Sequence, residues 1–198
     1  YVVPEDERIV QEVFIPDGET KRARPNQIVV AEITRYPAER LRPEGRVTHI
    51  LGYPDDTEVE PQIIIHKYDL PHRFSSTVLK EARDLPLVSS PDDYQGRVDL
   101  REIPTFTIDG EKARDFDDAV SIQKEKDGGM TLYVSISDVS HYVEEGTALD
   151  EEAYLRGTSV YFPDRVIPMF PPELSNEICC LHPRSDRLTL TVELRYDA

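Results

Sequence analysis

Residues 119–136 read AVSIQKEKDGGMTLYVSI, and this stretch decides the fold of the second half of the chain. Apolar and polar residues alternate from Ala119 to Gln123 and again from Leu132 to Ile136, a period of two that is typical of strands. Asp127-Gly128-Gly129 separates the two runs and supplies the residues that a tight turn favours. The stretch therefore predicts a β-hairpin with one buried face.

The sequence after the hairpin predicts a helix and a further strand. Thr147 and Asp150 have the spacing of a capping box for a helix that continues to Arg156, and Gly157 follows where helices commonly end. Leu188 to Leu194 alternates as a strand, although no partner follows it in the sequence. This half of the chain thus mixes helices with strands.

The first third of the chain contains short β-rich runs between turn residues. These runs are Ile9 to Ile15, Ile28 to Tyr36 and Arg46 to Leu51. The turn signals between and after them include Pro16-Asp17-Gly18 and Gly52-Tyr53-Pro54. Strands of this length and spacing predict a small barrel or sandwich.

Two helices and a linker are predicted next. Thr57 and Glu60 have capping-box spacing at the start of the first helix. Ser75 or Ser76 can cap a second helix, and Asp84 to Gly96 reads as a linker because turn-forming residues interrupt it.

The composition is that of a globular protein. The 198 residues are 38% hydrophobic and 31% charged, without an apolar run near the ~20 residues that span a bilayer and without a signal-peptide pattern. The two cysteines, Cys179 and Cys180, are adjacent and cannot link distant parts of the chain. These features predict a cytoplasmic protein without membrane attachment. The missing initiator Met predicts a piece of a longer protein.

The net charge of −16 is distributed unevenly. Residues 99–198 carry 10 basic and 21 acidic side chains, which disfavours non-specific binding to phosphates. Residues 21–46, which we call the basic stretch, instead contain seven Lys and Arg against three Glu.

Five carboxylates lie within ten residues after the linker. They are Asp109, Glu111, Asp115, Asp117 and Asp118. Like charges this close either raise one another's pKa or bind a cation, and oxygen donors suit Mg²⁺ or Mn²⁺. A solvated acidic turn is the alternative.

Two other chemistries fit the carboxylates less well. A calcium loop of the EF-hand type is excluded, because neither Asp109 nor Asp115 as first ligand places Gly at the sixth position and Glu at the twelfth. A phosphotransferase with one aspartate nucleophile would leave the other aspartates unused. Two-metal phosphoryl chemistry employs such a surplus, because cations stabilise both the attacking and the leaving oxygens.

At these residues the chain resembles the ribonuclease II and ribonuclease R family of exoribonucleases, at the start of its RNB catalytic domain. The motifs are Ile108-Asp109-Gly110-Glu111, Ala113 to Val120, Val134 to Ser140, Arg156 to Pro163, Val166 to Met169 and Leu174-Ser175-Asn176. The resemblance covers essentially the whole chain and is closer to the ribonuclease R branch. It implies a β-rich multidomain fold: an OB-type, cold-shock-like barrel at residues 1–55, a helical linker at 56–96, and the N-terminal α+β part of RNB at 97–198.

The resemblance also implies an activity and a set of site residues. The family comprises processive 3′-to-5′ exoribonucleases of the exoribonuclease II class, which use Mg²⁺, with Mn²⁺ as an alternative, and release nucleoside 5′-monophosphates from single-stranded RNA 3′ ends. Asp109 and Asp118 would bind the metal directly, Asp115 would assist through water, and Asp117 would be required for cleavage. Tyr161 matches a tyrosine that packs against the terminal nucleotide.

The family's RNB domain runs to several hundred residues, so we expect the chain alone to have little activity. We also expect a monomer without an obligate protein partner.

Five further residues are weaker candidates. Asp138 and His141 could line the same cleft or only cap a turn. Arg114 could partly neutralise the carboxylates, and Arg42 and Arg46 of the basic stretch could guide RNA or form a solvated face.

A non-catalytic, OB-type RNA-binding module with a structural acidic cluster is the competing interpretation. The four aspartates weigh against it, because carboxylates repel RNA unless a cation intervenes.

Overall fold

A computed structural model describes residues 1–38, 41–87, 89–111, 113 and 115–198. These residues form two compact units, Tyr1–His72 and Arg73–Ala198. The boundary between them falls inside the segment predicted as a helical linker. None of the helices in these ranges is long and apolar enough to cross a membrane.

The first unit is built on an antiparallel pair of strands, β1 (Ile28–Arg35) and β2 (Glu44–Gly52). Both strands were predicted from their β-branched residues, and both are confirmed. The apolar side of the pair packs on Val13 and Ile15, which form a small core with Val47 of β2. Burial of these aliphatic side chains is the main stabilising contribution in this unit.

The strand predicted over Ile9 to Ile15 is wrong in its first half. Only Val13 and Phe14 form isolated bridges, whereas Ile9 and Val10 are exposed. The backbone N–H of Ile9 instead donates to the Asp6 carbonyl at 2.9 Å, which closes a turn. An apolar pair without a facing partner therefore did not become a strand.

The first unit ends with a helix, α1 (Val59–Lys67). The helix itself is confirmed, but its predicted cap is wrong. Glu58 stands at the N-cap position in a helical conformation, and its side chain makes no capping hydrogen bond to the first turn. The Val59 N–H instead donates to the Asp56 carbonyl at 3.0 Å, so a preceding turn takes the place of Thr57.

The second unit combines helices with a mixed set of short and long strands. Its strands are β3 (Thr105–Phe106), β4 (Asp118–Lys124), β5 (Met130–Ser137), β6 (Val160–Tyr161), β7 (Val166–Ile167) and β8 (Thr189–Tyr196). Its longer helices are α2 (Ser76–Asp84) and α3 (Ala148–Arg156), accompanied by short helical segments at Pro91–Tyr94, Val139–His141 and Glu173–Ile178.

The predicted hairpin is confirmed as β4 and β5, at the centre of an antiparallel sheet ordered β3-β4-β5-β8. Gly128 in the turn has a φ of +94°, which glycine adopts without strain. The final strand, β8, pairs with β5 along its whole length. Such a pairing, across about 60 residues, cannot be recognised from local pattern.

The face of this sheet that is buried differs from the one that the apolar alternation predicted. Ser135 and Ser137 of β5 are buried, whereas Ile136 between them is 52% exposed. The buried hydroxyls bond to one another across the strands; for example, Ser135 Oγ lies 2.9 Å from Thr191 Oγ1. Hydroxyls bonded in this way can be covered without a large penalty, whereas the buried Ser137 hydroxyl makes no such bond within the described residues.

Both helices of the second unit start at the predicted caps. Ser75 Oγ accepts from the Val78 N–H at the start of α2, and Thr147 Oγ1 accepts from the Asp150 N–H at the start of α3. Gly157 ends α3 with a φ of +69°.

Among its described residues, the core of the second unit consists of two clusters. Val78, Ala82 and Leu149 join α2 to α3. A larger cluster includes Leu174, Ile178 and Leu188 and underlies the end of β5. These clusters fix the segments that surround the cavity described next.

Candidate functional site

A cavity of about 360 Å³ opens in the second unit beside the end of β5. Four segments contribute to its wall: the acidic loop before β4, the end of β5, the Gly157–Ser159 turn after α3, and the helical segment that ends at Ile178. Asp115, Asp117 and Tyr161 bring the polar groups. A concave site with a few convergent polar groups is the usual form of a ligand pocket.

The turn after α3 is held by its neighbours. Arg156 Nη1 donates to the Pro168 carbonyl at 3.0 Å, and the Met169 N–H donates to Ser159 Oγ at 2.9 Å. These bonds tie the turn to the segment after β7. They position Tyr161, which lies on β6 opposite Val166.

The acidic loop is held at Phe116, between two of the carboxylates. The Phe116 N–H donates to Cys180 Sγ at 3.2 Å, and the Leu181 N–H donates to the Phe116 carbonyl at 2.9 Å. The His182 ring meets the Phe116 ring edge-on, with 6.1 Å between centroids. The segment at 180–182 therefore fixes the backbone from which Asp115 and Asp117 project.

Asp117 is electrostatically linked to the other aspartates. Partial burial raises the pKa of its carboxyl, and the charges of Asp115, Asp118 and Asp109 raise it further. The structure thus places Asp117 within electrostatic range of the other three aspartates that the sequence singled out. Holding these charges close is unfavourable unless a proton or a cation compensates.

Tyr161 is linked to the same cluster by a hydrogen bond. Its hydroxyl donates to Asp115 Oδ2 at 2.8 Å, and this bond, together with partial burial, raises the pKa of the phenol. The ring remains 65% exposed. One side chain therefore orients a carboxylate and leaves an aromatic surface open.

The donor set fits a hard divalent cation in its chemistry, because all four aspartates offer carboxylate oxygens. Among the residues that the structure describes, no group of three or more His, Cys, Asp or Glu side chains is arranged closely enough to hold a metal ion. Asp109 and Asp118 are exposed and, unlike Asp115 and Asp117, do not line the cavity.

Asp138 and His141 lie beside the cavity wall but take part in other contacts. The buried Asp138 carboxylate pairs with Arg97 at 2.7 Å and accepts from Ser140 Oγ at 2.9 Å. Burial opposes the charged form, but these donors together hold the pKa of Asp138 below its usual value. His141 Nε2 lies 3.3 Å from Asp93 Oδ1.

The arginines of the basic stretch belong to the first unit. Arg46 pairs with Glu32 at 2.8 Å, and the Arg42 guanidinium lies 5.8 Å from the centroid of the Tyr1 ring. Arg114 lies outside the described residues.

Sequence reasoning missed two residues that support the site, Cys180 and Ser137. Cys180 contacts the acidic loop from 64 positions away in the chain, which no local pattern reveals. Ser137 occupies a polar position of an alternating strand, which sequence reasoning assigns to solvent. Only the pairing of β5 with β4 places it against Asp117.

Two family models match the chain. The RNB domain matches residues 97–198, and the cold shock domain matches residues 1–75. The chain belongs to the RNB-domain family. The resemblance and the fold class drawn from the sequence are thereby confirmed: the chain is β-rich, with a cold-shock part followed by an RNB part.

Ribonuclease R proteins are among the curated relatives. Ribonuclease R of Thermotoga maritima is 47% identical over 199 residues, which cover 100% of this chain and 28% of that protein. Ribonuclease R of Escherichia coli is 42% identical over 194 residues, which cover 98% of this chain and 24% of that protein. The chain therefore spans about a quarter of the length of these relatives.

Solved structures show the same similarity. Mycoplasma genitalium RNase R in complex with double-stranded RNA superposes with a TM-score of 0.88 at 26% identity, over 96% of this chain and 34% of that one. Yeast Ssd1, a pseudonuclease, superposes with a TM-score of 0.69 at 23% identity, over 87% and 22% respectively. The second match concerns the fold alone.

Proposed function

We propose that the full-length protein is a Mg²⁺-dependent, processive 3′-to-5′ exoribonuclease that degrades single-stranded RNA to nucleoside 5′-monophosphates. One observation carries the proposal: in an RNB-domain chain, Asp115 and Asp117 line a cavity that also presents the exposed Tyr161 ring, and the charges of Asp109 and Asp118 act on Asp117. A solvated acidic turn would have no reason to gather charge at a cavity wall.

Asp109, Asp115 and Asp118 are the residues proposed to hold Mg²⁺, with Mn²⁺ as an alternative. When bound, the cation would polarise the scissile phosphate and lower the pKa of water. The carboxylates contribute the negative charge that retains it, and the Tyr161 hydroxyl keeps one Asp115 oxygen oriented.

Asp117 is proposed to act in the cleavage step. A carboxyl whose pKa is raised by burial and by neighbouring charges accepts a proton more readily than an ordinary aspartate. Its Oδ atoms are therefore suited to take a proton from water beside the phosphate.

Tyr161 and the cavity are proposed to select a single-stranded end. A volume of about 360 Å³ is in the range of pockets that hold one small ligand, and a base-paired end exceeds it. Stacking of a base on an exposed aromatic ring contributes about 1–3 kcal/mol. This argument, together with the RNA-bound RNase R relatives, supports RNA as the partner.

The same proposal includes a cytoplasmic, monomeric enzyme. Neither cysteine forms a disulfide within the described residues, as expected in a reducing compartment. Fractionation of cells and light scattering of the purified protein test these two points.

The experiment uses the full-length protein with a 5′-labelled single-stranded RNA. We expect the RNA to shorten from its 3′ end in Mg²⁺, with nucleoside 5′-monophosphates as products, and to remain intact in EDTA. Asp117→Asn should reduce the rate at least 100-fold, whereas Asp55→Asn, at an exposed position of the first unit, should not. Undiminished degradation by Asp117→Asn would contradict the assignment.

A non-catalytic RNA-binding protein is the second candidate, because the fold is shared with a pseudonuclease. It predicts RNA that binds but stays intact in Mg²⁺. It also predicts that Mg²⁺ shifts the melting temperature equally in the unmodified protein and in Asp118→Asn. If Mg²⁺ binds at the aspartates, the shift in melting temperature should instead be smaller in Asp118→Asn.

A further inference from the structure

Ser137 carries a buried hydroxyl that no hydrogen bond satisfies within the described part of the chain. The residue is 5% exposed. Other hydroxyls on the same sheet face are paired: Ser135 Oγ with Thr191 Oγ1 at 2.9 Å, and Ser121 Oγ with Thr105 Oγ1 at 2.7 Å. An unpartnered buried hydroxyl in such a network requires an explanation, and functional sites are where such groups occur.

The strand register places Ser137 against Asp117. The Ser137 N–H donates to the Asp117 carbonyl at 2.9 Å, one step beyond the Asp118–Ile136 pair of the β4–β5 ladder. Opposite residues in antiparallel strands project on the same face with Cβ atoms about 4.5–5.5 Å apart. Rotation about the χ1 of either side chain can therefore bring the hydroxyl to the carboxylate.

The surroundings of Ser137 leave Asp117 as the strongest acceptor within reach. Both residues line the cavity, as does Cys179. The Ser137 hydroxyl approaches the Cys179 thiol closely enough to lower the pKa of that thiol, but the contact does not have full hydrogen-bond geometry, and sulfur is a weak acceptor. A carboxylate forms a much stronger bond with a hydroxyl.

We propose that Ser137 is a positioning residue, whose hydroxyl donates to the Asp117 carboxylate and holds it in the orientation required for cleavage. The inference rests on the proposed nuclease function and adds to it a residue outside the acidic cluster. Hydrogen bonds between catalytic groups commonly tighten only when substrate is bound. In the protein without RNA, the Ser137 hydroxyl therefore stays unsatisfied, and its bond to Asp117 forms when RNA binds.

The test compares Ser137→Ala with Ser135→Ala in the full-length protein. Ser135 is a matched control, because it lies on the same strand and face, is equally buried, and bonds to Thr191 instead of lining the cavity. We expect Ser137→Ala to lower kcat about 10- to 100-fold with KM for RNA changed less than about twofold. Its melting temperature should be unchanged or higher, since an unsatisfied hydroxyl is removed.

Ser135→Ala should show the opposite pattern, with kcat retained and the melting temperature lowered by a few degrees. The proposal is overturned if Ser137→Ala retains full kcat, or if it lowers the melting temperature as Ser135→Ala does, which would assign the hydroxyl a structural role. The variant Asp117→Asn distinguishes a failure of this inference from a failure of the proposed function. If that variant is inactive while Ser137→Ala is normal, only this inference fails; if it is fully active, the proposed function fails.

Discussion

Arg156 is a buried charged side chain whose removal should strongly destabilise the second unit. Its side chain is 2% exposed and its Nη2 lies 2.8 Å from Glu152 Oε1, an ion pair in which the Glu152 side chain is 16% exposed. The Arg156 Nη2 atom does not have the geometry of a hydrogen bond. The Arg156 Nε atom, however, donates to Glu152 Oε1 at 2.8 Å. The guanidinium also stacks 3.7 Å from the centroid of the Phe74 ring.

Arg156→Ala should destabilise the second unit by about 3–5 kcal/mol. Removing one partner of a buried ion pair costs about this much, because the other charge is left without compensation. The lost cation–π contact, about 0.5–2 kcal/mol, and the unpaired Pro168 carbonyl belong to the same truncation and are not simply added. Relative to a typical total of about 5–15 kcal/mol, the loss is large.

Urea unfolding followed by circular dichroism measures this change. Arg83→Ala is the control, because Arg83 pairs with Glu173 at 3.5 Å with 65% of its side chain exposed, and should cost less than about 1 kcal/mol. In Glu152→Ala/Arg156→Ala the loss should be about 2 kcal/mol smaller than the sum of the single losses. A loss below about 1 kcal/mol for Arg156→Ala, or equal losses for both arginines, would refute the reasoning.

Three further predictions concern the same unit. The pKa of Asp138 is held low by Arg97, so the stability advantage over Asp138→Asn should be present above about pH 4 and vanish as pH falls below it; a constant difference in unfolding free energy would contradict this. Burial raises the pKa of Cys179 to about 11 and also raises that of Cys180, so iodoacetamide at pH 8 should alkylate neither thiol until urea unfolds the chain, as mass spectrometry can show. Gly157→Ala should cost about 1 kcal/mol, because the φ of +69° strains a residue with a Cβ; unchanged stability would argue against this backbone conformation.

The sequence predicted the elements whose signals are local. The β4–β5 hairpin follows from alternation on either side of a glycine turn, and both caps in the second unit follow from Ser75 and Thr147. The failures have one cause in common. The apolar pair at Ile9 has no facing strand, and the buried face of the sheet is decided by hydroxyl pairs such as Ser135 and Thr191, which meet only after β8 folds back.

The candidate site likewise has residues that the sequence could name and contacts that only the structure could show. The aspartates and Tyr161 were named from the sequence because their spacing matches a family pattern. The contacts that orient them could not be, since Cys180 reaches Phe116, and Tyr161 reaches Asp115, across 64 and 46 positions respectively. Local sequence pattern thus names the candidate groups, while the tertiary structure shows which residues hold them.

The most direct test of the account is a crystal structure of full-length Asp117→Asn with single-stranded RNA and Mn²⁺, examined by anomalous scattering. The account predicts a manganese peak within coordination distance of both Asp109 and Asp118 and of a phosphate oxygen at the 3′ end of the RNA. RNA bound in the cavity with no peak there, and with both carboxylates turned into solvent, would contradict it.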